Sequence, residues 1–168
     1  QDANNDASKT IQFIESARNA GDDAVLVNLV DAATAQQCIE AAGDMQIVFV
    51  NRVPQDTSVL GGNAAAVVSD ENQSGGYQGQ FLVDYFKAKG QTDVRYLMLQ
   101  GTLGLVHTEQ RSASVIQAMK DGGLNPIEAA APLVADYDRA TAMDMISPLL
   151  GTTEFDCIIA NNDAMALG

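Results

Sequence analysis

Short, continuously apolar runs alternate with longer amphipathic segments along the chain, and this alternation restricts the fold more than any other feature. The run AVLVNLV follows the segment SKTIQFIESARNA, in which Ile11, Ile14 and Ala17 share one helical stripe. Repeated pairs of helix and buried strand are typical of parallel sheets covered by helices on both faces. The sequence therefore predicts an α/β fold built from doubly wound parallel sheets.

The same pattern continues to the C-terminus. Helices are predicted over AATAQQCIEAAG, NQSGGYQGQFLVDYFKAKG, TEQRSASVIQAMKDGG and RATAMDMISPLL, and strands over IVFVN, AAVVSD, RYLMLQG, IEAAAPLV and FDCIIAN. The glycines predicted to end helices in a left-handed conformation are Gly21, Gly43, Gly90, Gly122 and Gly151. The irregular stretch 52–66 and the residues around Asp70 are predicted to lead from one lobe to a second, so the predicted domains are residues 1–69 and 70–168.

The two ends of the sequence resemble the interior of a domain. The chain opens on NNDASK, a helix start with no strand before it, and its last helix has barely begun at Gly168, with Asp163 as the predicted N-cap. A parallel sheet needs a strand before the first helix and a complete helix after the last strand. We therefore expect this chain to be a fragment of a longer protein.

Composition excludes several classes of function. The net charge of −13 disfavours binding of this segment to nucleic acid, because phosphates would be repelled. No apolar run is long enough for a membrane-spanning helix, and the N-terminus lacks the features of a secretory signal. Cys38 and Cys157 have no metal-binding or redox spacing, and we interpret both as small apolar core residues.

Polar residues directly follow the apolar runs, where ligands bind in open α/β sheets. These positions are 28–31, 51–52, 101–111, 135–138 and 161–163. Amides, carboxylates and one aromatic ring are suited to a small ligand rich in hydroxyl groups, although helix capping explains any single Asn or Asp equally well. Asn51 is the best individual case, because no helix follows it. Arg111 is predicted in the first turn of its helix, where the dipole disfavours a cation, so either a hydrogen-bonding partner or solvent must compensate.

Catalysis and metal binding are disfavoured. The only histidine, His107, has no recognisable nucleophile and orienting acid, and no zinc spacing is present. The segment GTLG at 101–104 lacks the remaining residues of a phosphate-binding loop. We predict no cofactor and no metal.

Several segments, taken together and in order, resemble the type I periplasmic sugar-binding proteins, most closely the galactose/glucose-binding branch. They are VLVNLVDAATA, IVFVNRVP, VVSDENQSGGYQGQ, LMLQGTLG, DYDRATAMDM and IIANNDAMALG. The resemblance implies two α/β lobes joined at a hinge, with one sugar bound in the cleft between them. It covers essentially the whole chain but only the middle of the family's fold.

The resemblance also implies roles for individual residues. Asn51 is similar to a hinge-side asparagine that binds sugar hydroxyls, Arg111 to an arginine beside the sugar ring, and Asn162 to an asparagine of the second lobe. Tyr137 stands where the branch has a stacking tryptophan. The predicted ligand-binding residues are Asn51, His107, Arg111, Tyr137, Asn162 and Asp163.

Two departures from the branch alter the expected ligand. Leu105 and His107 occupy positions where the branch has a histidine and an aspartate that bind sugar hydroxyls, so the favoured sugar need not be glucose or galactose. The calcium-binding loop of the branch is absent, because GQTDV is too short to supply it.

The predicted function is binding of a monosaccharide or polyol by an extracytoplasmic solute-binding protein that serves a membrane permease or a sensory receptor. The alternative is the effector-binding domain of a lac-repressor-like transcription regulator, and a third class is a sugar-modifying enzyme built around His107. Uncovered sheet edges also predict self-association.

Overall fold

The computed structural model describes residues 1–168, which divide into two units. Unit 1 is Gln1–Ser69 and unit 2 is Asp70–Gly168, and each has its own sheet and its own hydrophobic core. None of the helices combines the length and the apolar content that crossing a bilayer requires. The two units are therefore described one after the other.

Unit 1 contains a three-stranded parallel sheet with the order β1–β2–β3. Its elements are α1 (Ala7–Ala20), β1 (Ala24–Val27), a 3₁₀ turn (Ala32–Thr34), α2 (Ala35–Ala42), β2 (Gln46–Val50), a second 3₁₀ turn (Thr57–Val59) and β3 (Ala64–Val67). In the register of the sheet, Ile47 of β2 lies between Val25 of β1 and Ala64 of β3. The predicted stripe of α1 places Ile14 in the core cluster that also contains Phe49.

The boundaries of α1 follow from its capping residues. The Asp6 carboxylate accepts hydrogen bonds from the backbone N–H groups of Ser8 and Lys9, which have no partner within the helix. At the other end, Gly21 has a φ of 84°, and its N–H donates to the Ala17 and Arg18 carbonyls. This left-handed turn redirects the chain toward β1, as the sequence predicts.

Both cysteines are free thiols. Cys38 is completely buried in the core of unit 1, which confirms its interpretation as an apolar core residue. Burial raises the pKa of the Cys38 thiol, although a hydrogen bond with Thr34 opposes the effect. Cys157 packs partly buried against a core of unit 2, and burial together with the Asp156 carboxylate raises its pKa to about 11.

Unit 2 is organised around one long central strand. Its elements are α3 (Glu71–Ala88), β4 (Asp93–Gln100), α4 (Val106–Asp121), β5 (Asn125–Glu128), β6 (Leu133–Val134), α5 (Arg139–Ile146), a 3₁₀ turn (Ser147–Leu149), β7 (Cys157–Ala160) and α6 (Asp163–Ala166). β4 pairs in parallel with β5, β6 and β7. Leu97 and Leu99 of β4 are buried in one core cluster, and Tyr96 and Met98 in another. A strand with both faces buried matches the continuous apolar run RYLMLQ.

Two glycines of α3 allow this helix to lie directly against α4. A Cβ atom on Gly75 would come under 3.0 Å from the Arg111 carbonyl oxygen, and one on Gly79 would come equally close to the Val115 carbonyl oxygen. Any larger residue at either position would therefore separate the two helices. This close packing brings the first turn of α3 beside Arg111.

The predictions for one strand and for one helix end of unit 2 are wrong. The segment IEAAAPLV is not one strand, because β5 ends at Glu128, β6 begins at Leu133, and Pro132 between them has no N–H to donate to a sheet. Gly122 does not adopt the predicted left-handed conformation: its φ is −74°, and Gly123, with a φ of 81°, makes the turn.

Candidate functional site

In unit 1, the polar rim is formed by residues that follow β1 and β2. Asn51 directly follows β2 and has a φ of 66°, a left-handed conformation that asparagine tolerates better than most residues. Its backbone N–H donates to the Val67 carbonyl at 3.3 Å, and its side-chain amide donates to Asn28 Oδ1 at 3.5 Å. No helix begins at Asn51, and the next helical turn is capped by Asp56. The exposed Asn51 side chain is thus held at the rim by its strained backbone and its neighbour.

The Arg52 side chain is also hydrogen-bonded to the segment that follows β1. Its Nη1 donates to the Leu29 and Val30 carbonyls at 2.9 and 3.0 Å, whereas its buried Nε has no partner. Arg52 and Asn28 also line a cavity of about 580 Å³ between α1 and the open edge of β1, which Asn51 does not reach. Arg52 therefore joins the segment after β1 to the segment after β2.

In unit 2, Arg111 lies in the second turn of α4, so its predicted place in the first turn is wrong. The helix begins at Val106, two residues before the predicted start at Thr108, and Leu105 at the N-cap makes no side-chain hydrogen bond. Of the two alternatives left open by the sequence, a partner or solvent, the structure shows a partner: Arg111 Nε donates to Glu71 Oε2 at 2.5 Å. Arg111 Nη1 donates to the Asn161 carbonyl at 2.7 Å. Two fixed contacts therefore orient the guanidinium.

Glu71 was not recognised from the sequence. It is the first residue of α3 and is only 8% exposed, while the neighbouring Asp70 caps the helix by accepting from the N–H groups of Asn72 and Gln73. A glutamate in a first helical turn usually indicates nothing more than a favourable interaction with the helix dipole. The sequence feature that could have indicated its burial is the pair of glycines, Gly75 and Gly79, which allow α3 to pack closely against α4.

Asn161 is a buried structural residue rather than an exposed rim residue. It is 2% exposed and directly follows β7. Its Oδ1 accepts from the Gly101 N–H at 3.1 Å, and its Nδ2 donates to Ser112 Oγ at 3.0 Å. The side chain thus connects the end of β4 to α4, and the carbonyl of the same residue holds Arg111.

The prediction that Asp163 is the N-cap of the last helix is wrong. The cap of α6 is Asn162, whose Oδ1 accepts from the Met165 N–H at 2.9 Å, and Asp163 is the exposed first residue of the helix. The two residues are adjacent, and either type can cap, so the sequence does not distinguish them. Asn162 Nδ2 donates weakly, at 3.4 Å, to the Tyr137 carbonyl.

Tyr137 and His107 form an aromatic pair. Their ring centroids are 5.4 Å apart with 27° between the planes, and the Tyr137 hydroxyl shares a 2.5 Å hydrogen bond with Thr108 Oγ1. Tyr137 has a φ of 64°, and its ring lies where a Cβ atom on Gly101 would be. A strained backbone, a glycine and a hydroxyl partner thus fix the half-buried tyrosine ring.

The structure thus brings His107, Arg111, Tyr137 and Asn162 together around the carboxyl ends of β4 and β7, with Asp163 exposed at the start of α6. Asn51 belongs to unit 1. Helix α5, which follows Tyr137, is capped by Asp138. The Asp138 carboxylate accepts hydrogen bonds from Thr141, and these bonds lower its pKa. No group of three or more His, Cys, Asp and Glu side chains has the proximity needed to hold a metal ion.

Comparison with known proteins gives one consistent result. A family model described as the periplasmic binding protein domain matches residues 1–168. A putative rhizopine-binding protein of Rhizobium meliloti is 30% identical over 100% of this chain and 54% of its own length, and a ribose import binding protein of Bacillus subtilis is 29% identical over 99% and 52%.

A solved structure is also similar to this chain. The solute-binding protein of an ABC transporter from Bacillus halodurans, with bound myo-inositol, superposes with a TM-score of 0.80 at 27% identity, covering 99% of this chain and 56% of that one. The chain spans about half the length of the curated relatives it matches. It belongs to the periplasmic binding protein domain family, with the type I sugar-binding proteins as its relatives.

Proposed function

We propose that the protein containing this chain binds a monosaccharide or a related cyclic polyol, as the solute-binding component of an ABC transporter or of a sensory receptor. The observation that carries the proposal is the rim of unit 2, where a fixed guanidinium, an amide and an aromatic pair lie around the ends of β4 and β7. Hydroxyl groups need paired donors and acceptors, and the C–H face of a sugar ring packs on an aromatic surface.

The relatives support the same ligand class. Two of them are named for rhizopine and ribose, and the solved structure contains bound myo-inositol. These ligands carry several hydroxyl groups, which suits the amide and guanidinium groups of the rim. The proposed ligand-binding residues are Asn51 of unit 1 and His107, Arg111, Tyr137, Asn162 and Asp163 of unit 2.

The proposed binding is tested with protein expressed from the complete reading frame that encodes this chain. Thermal shift and calorimetry are run with ribose, allose, galactose and myo-inositol, first on the wild type and then on Asn51→Ala and Tyr137→Ala. Each substitution is expected to weaken binding about tenfold or more, because it removes a contact that a buried ligand cannot replace. Binding that survives both changes, or no binding in the panel, would contradict the proposed site.

Matched controls are available within the chain. Asn125 lies at the amino end of β5, where its amide donates to Asp93 Oδ1 at 2.9 Å, far along the strands from the rim. Tyr85 is an exposed aromatic residue of α3. Asn125→Ala and Tyr85→Ala are expected to leave sugar affinity unchanged.

The proposed location is extracytoplasmic. One relative is named a galactose-binding periplasmic protein, and this name motivates the assignment. A signal peptide encoded upstream in the same reading frame would support it. A DNA-binding helix pair at that place would instead favour the effector domain of a transcription regulator.

We also propose that the 168-residue chain by itself self-associates through open sheet edges. β1 pairs only with β2 and β7 only with β4, and Leu26 of β1 is 72% exposed. Exposed apolar strand edges promote pairing with other chains. Sedimentation velocity of the 168-residue chain is expected to show species larger than a monomer, and a well-folded monomer at all concentrations would refute this proposal.

A further inference from the structure

We propose that Glu71 determines the charge specificity of the site, so that Arg111 binds neutral hydroxyl-bearing ligands and rejects sugar acids and sugar phosphates. This inference rests on the proposed function and concerns the ligand class of the same site. It starts from the ion pair between Glu71 Oε2 and Arg111 Nε.

The ion pair neutralises the cation of the rim. An arginine without an anionic partner is well suited to bind carboxylates and phosphates, often through two parallel hydrogen bonds. Here the Glu71 side chain is 9% exposed and the Arg111 side chain 25% exposed, so neither charge is fully screened by water. An incoming anion would be attracted by Arg111 and repelled by Glu71 at a similar distance.

The remaining donor of Arg111 is suited to a neutral ligand. Nε is taken by Glu71 and Nη1 by the Asn161 carbonyl, which leaves Nη2 as the remaining donor of a side chain that is 25% exposed. One free N–H₂ group can donate to a hydroxyl oxygen, but the two-pronged geometry that carboxylates prefer is already occupied by protein. Arg111 therefore acts as an oriented donor rather than as a net positive charge.

A structural role alone does not account for Glu71. The Asp70 side chain already accepts hydrogen bonds from the unpaired N–H groups at the start of α3. A glutamate that only interacted favourably with the helix dipole would remain in solvent. Glu71 is instead buried against α4, at a place that requires the close helix packing at Gly75 and Gly79. No other cation contacts Arg111 or Glu71 to restore a positive charge.

The test is a ratio of affinities measured by calorimetry on protein from the complete reading frame, with D-galactose and D-galacturonate as one pair and ribose and ribose 5-phosphate as another. The wild type is expected to prefer the neutral member of a pair. Glu71→Gln, which keeps the size of the side chain and removes its charge, is expected to lower this preference about tenfold or more.

Two further variants separate charge from structure. Glu109→Gln makes the same chemical change at an exposed position of α4, outside the ion pair of Arg111 with Glu71, and it is expected to leave the ratio unchanged. Glu71→Gln combined with Arg111→Gln removes both charges, so the preference for the neutral ligand should return although both affinities fall. The double variant also provides the test if an unpaired Arg111 prevents folding of the single variant.

The outcomes distinguish this inference from the proposed function. If the wild type binds a neutral sugar but Glu71→Gln changes the affinity ratio less than twofold, the proposed role of Glu71 is overturned and the sugar-binding proposal stands. A wild type that prefers the uronate or the phosphate overturns that role in the same way. A wild type that binds neither these four probes nor allose or myo-inositol overturns both proposals. A wild type that binds only allose or myo-inositol keeps the sugar-binding proposal, and the ratio is then measured with that ligand and its phosphate.

Discussion

Replacing Asn161 by alanine tests whether the rim of unit 2 is built on a buried hydrogen-bond network. The substitution removes the acceptor of the Gly101 N–H and the donor to Ser112 Oγ. Each hydrogen bond contributes about 1 kcal/mol, and a buried N–H left without a partner costs about 1–3 kcal/mol. Ser112 keeps a longer bond from Gln100 at 3.3 Å, so the penalty falls mainly on Gly101.

The expected loss is therefore about 2–4 kcal/mol in the free energy of unfolding. Urea denaturation followed by circular dichroism measures it, with an unchanged m-value as the sign that the same surface is exposed. Asn125→Ala is the control, because its single exposed bond to Asp93 should contribute less than about 0.5 kcal/mol.

A double-mutant cycle tests whether part of the lost stability comes from the hydrogen bond between Asn161 and Ser112. Asn161→Ala and Ser112→Ala remove the two partners of one hydrogen bond, so their effects should be coupled by about 1 kcal/mol. An Asn161→Ala variant no less stable than Asn125→Ala would refute the network as the basis of the rim. Additive effects of Asn161→Ala and Ser112→Ala would refute the specific contact.

Three other expected outcomes follow from the structure. Gly101→Ala places a methyl group within 3.0 Å of the Tyr137 ring, so it should destabilise the protein by about 1–3 kcal/mol and lower ligand affinity, as measured by denaturation and calorimetry. The Cys157 thiol, with its pKa raised to about 11, should react with a thiol reagent at neutral pH far more slowly in the folded than in the unfolded protein. The Arg95 N–H holds the pKa of Asp156 below its usual value, so this carboxylate contributes stability above about pH 4 that is lost as the pH falls through its lower folded pKa. The difference in melting temperature between wild type and Asp156→Asn should therefore shrink on acidification, and a constant difference would contradict the argument.

Local patterns were sufficient for most of the secondary structure. The run RYLMLQ predicts a strand buried on both faces, and the structure places it at the centre of the sheet of unit 2. The prediction for IEAAAPLV is wrong because apolar character alone does not show where a proline interrupts pairing. The predicted start of α4 is wrong by two residues, because Leu105 at its N-cap makes no side-chain hydrogen bond.

The position of the site could be predicted from the sequence, but its hydrogen bonds and ion pair could not. Residues that follow parallel strands lie at the sheet edge that binds ligands, and this rule selects Asn51 and Asn162 without any structure. The rule cannot tell that Asn161, in the same run of amides, is buried, because that depends on which neighbour's N–H faces it. The partner of Arg111 lies 40 residues earlier in the chain, so no local pattern could identify Glu71.

The sequence by itself determined the α/β class, the order of helices and strands and the polar character of the strand ends, because periodicity and capping act over only a few residues. Only the tertiary structure decided that Glu71 neutralises Arg111, that Gly101 makes room for the Tyr137 ring, and that Asn161 is buried. These contacts join segments far apart in the chain. Their geometry depends on how closely α3 packs on α4 and on how the ends of β4 and β7 align, and neither distance is encoded locally.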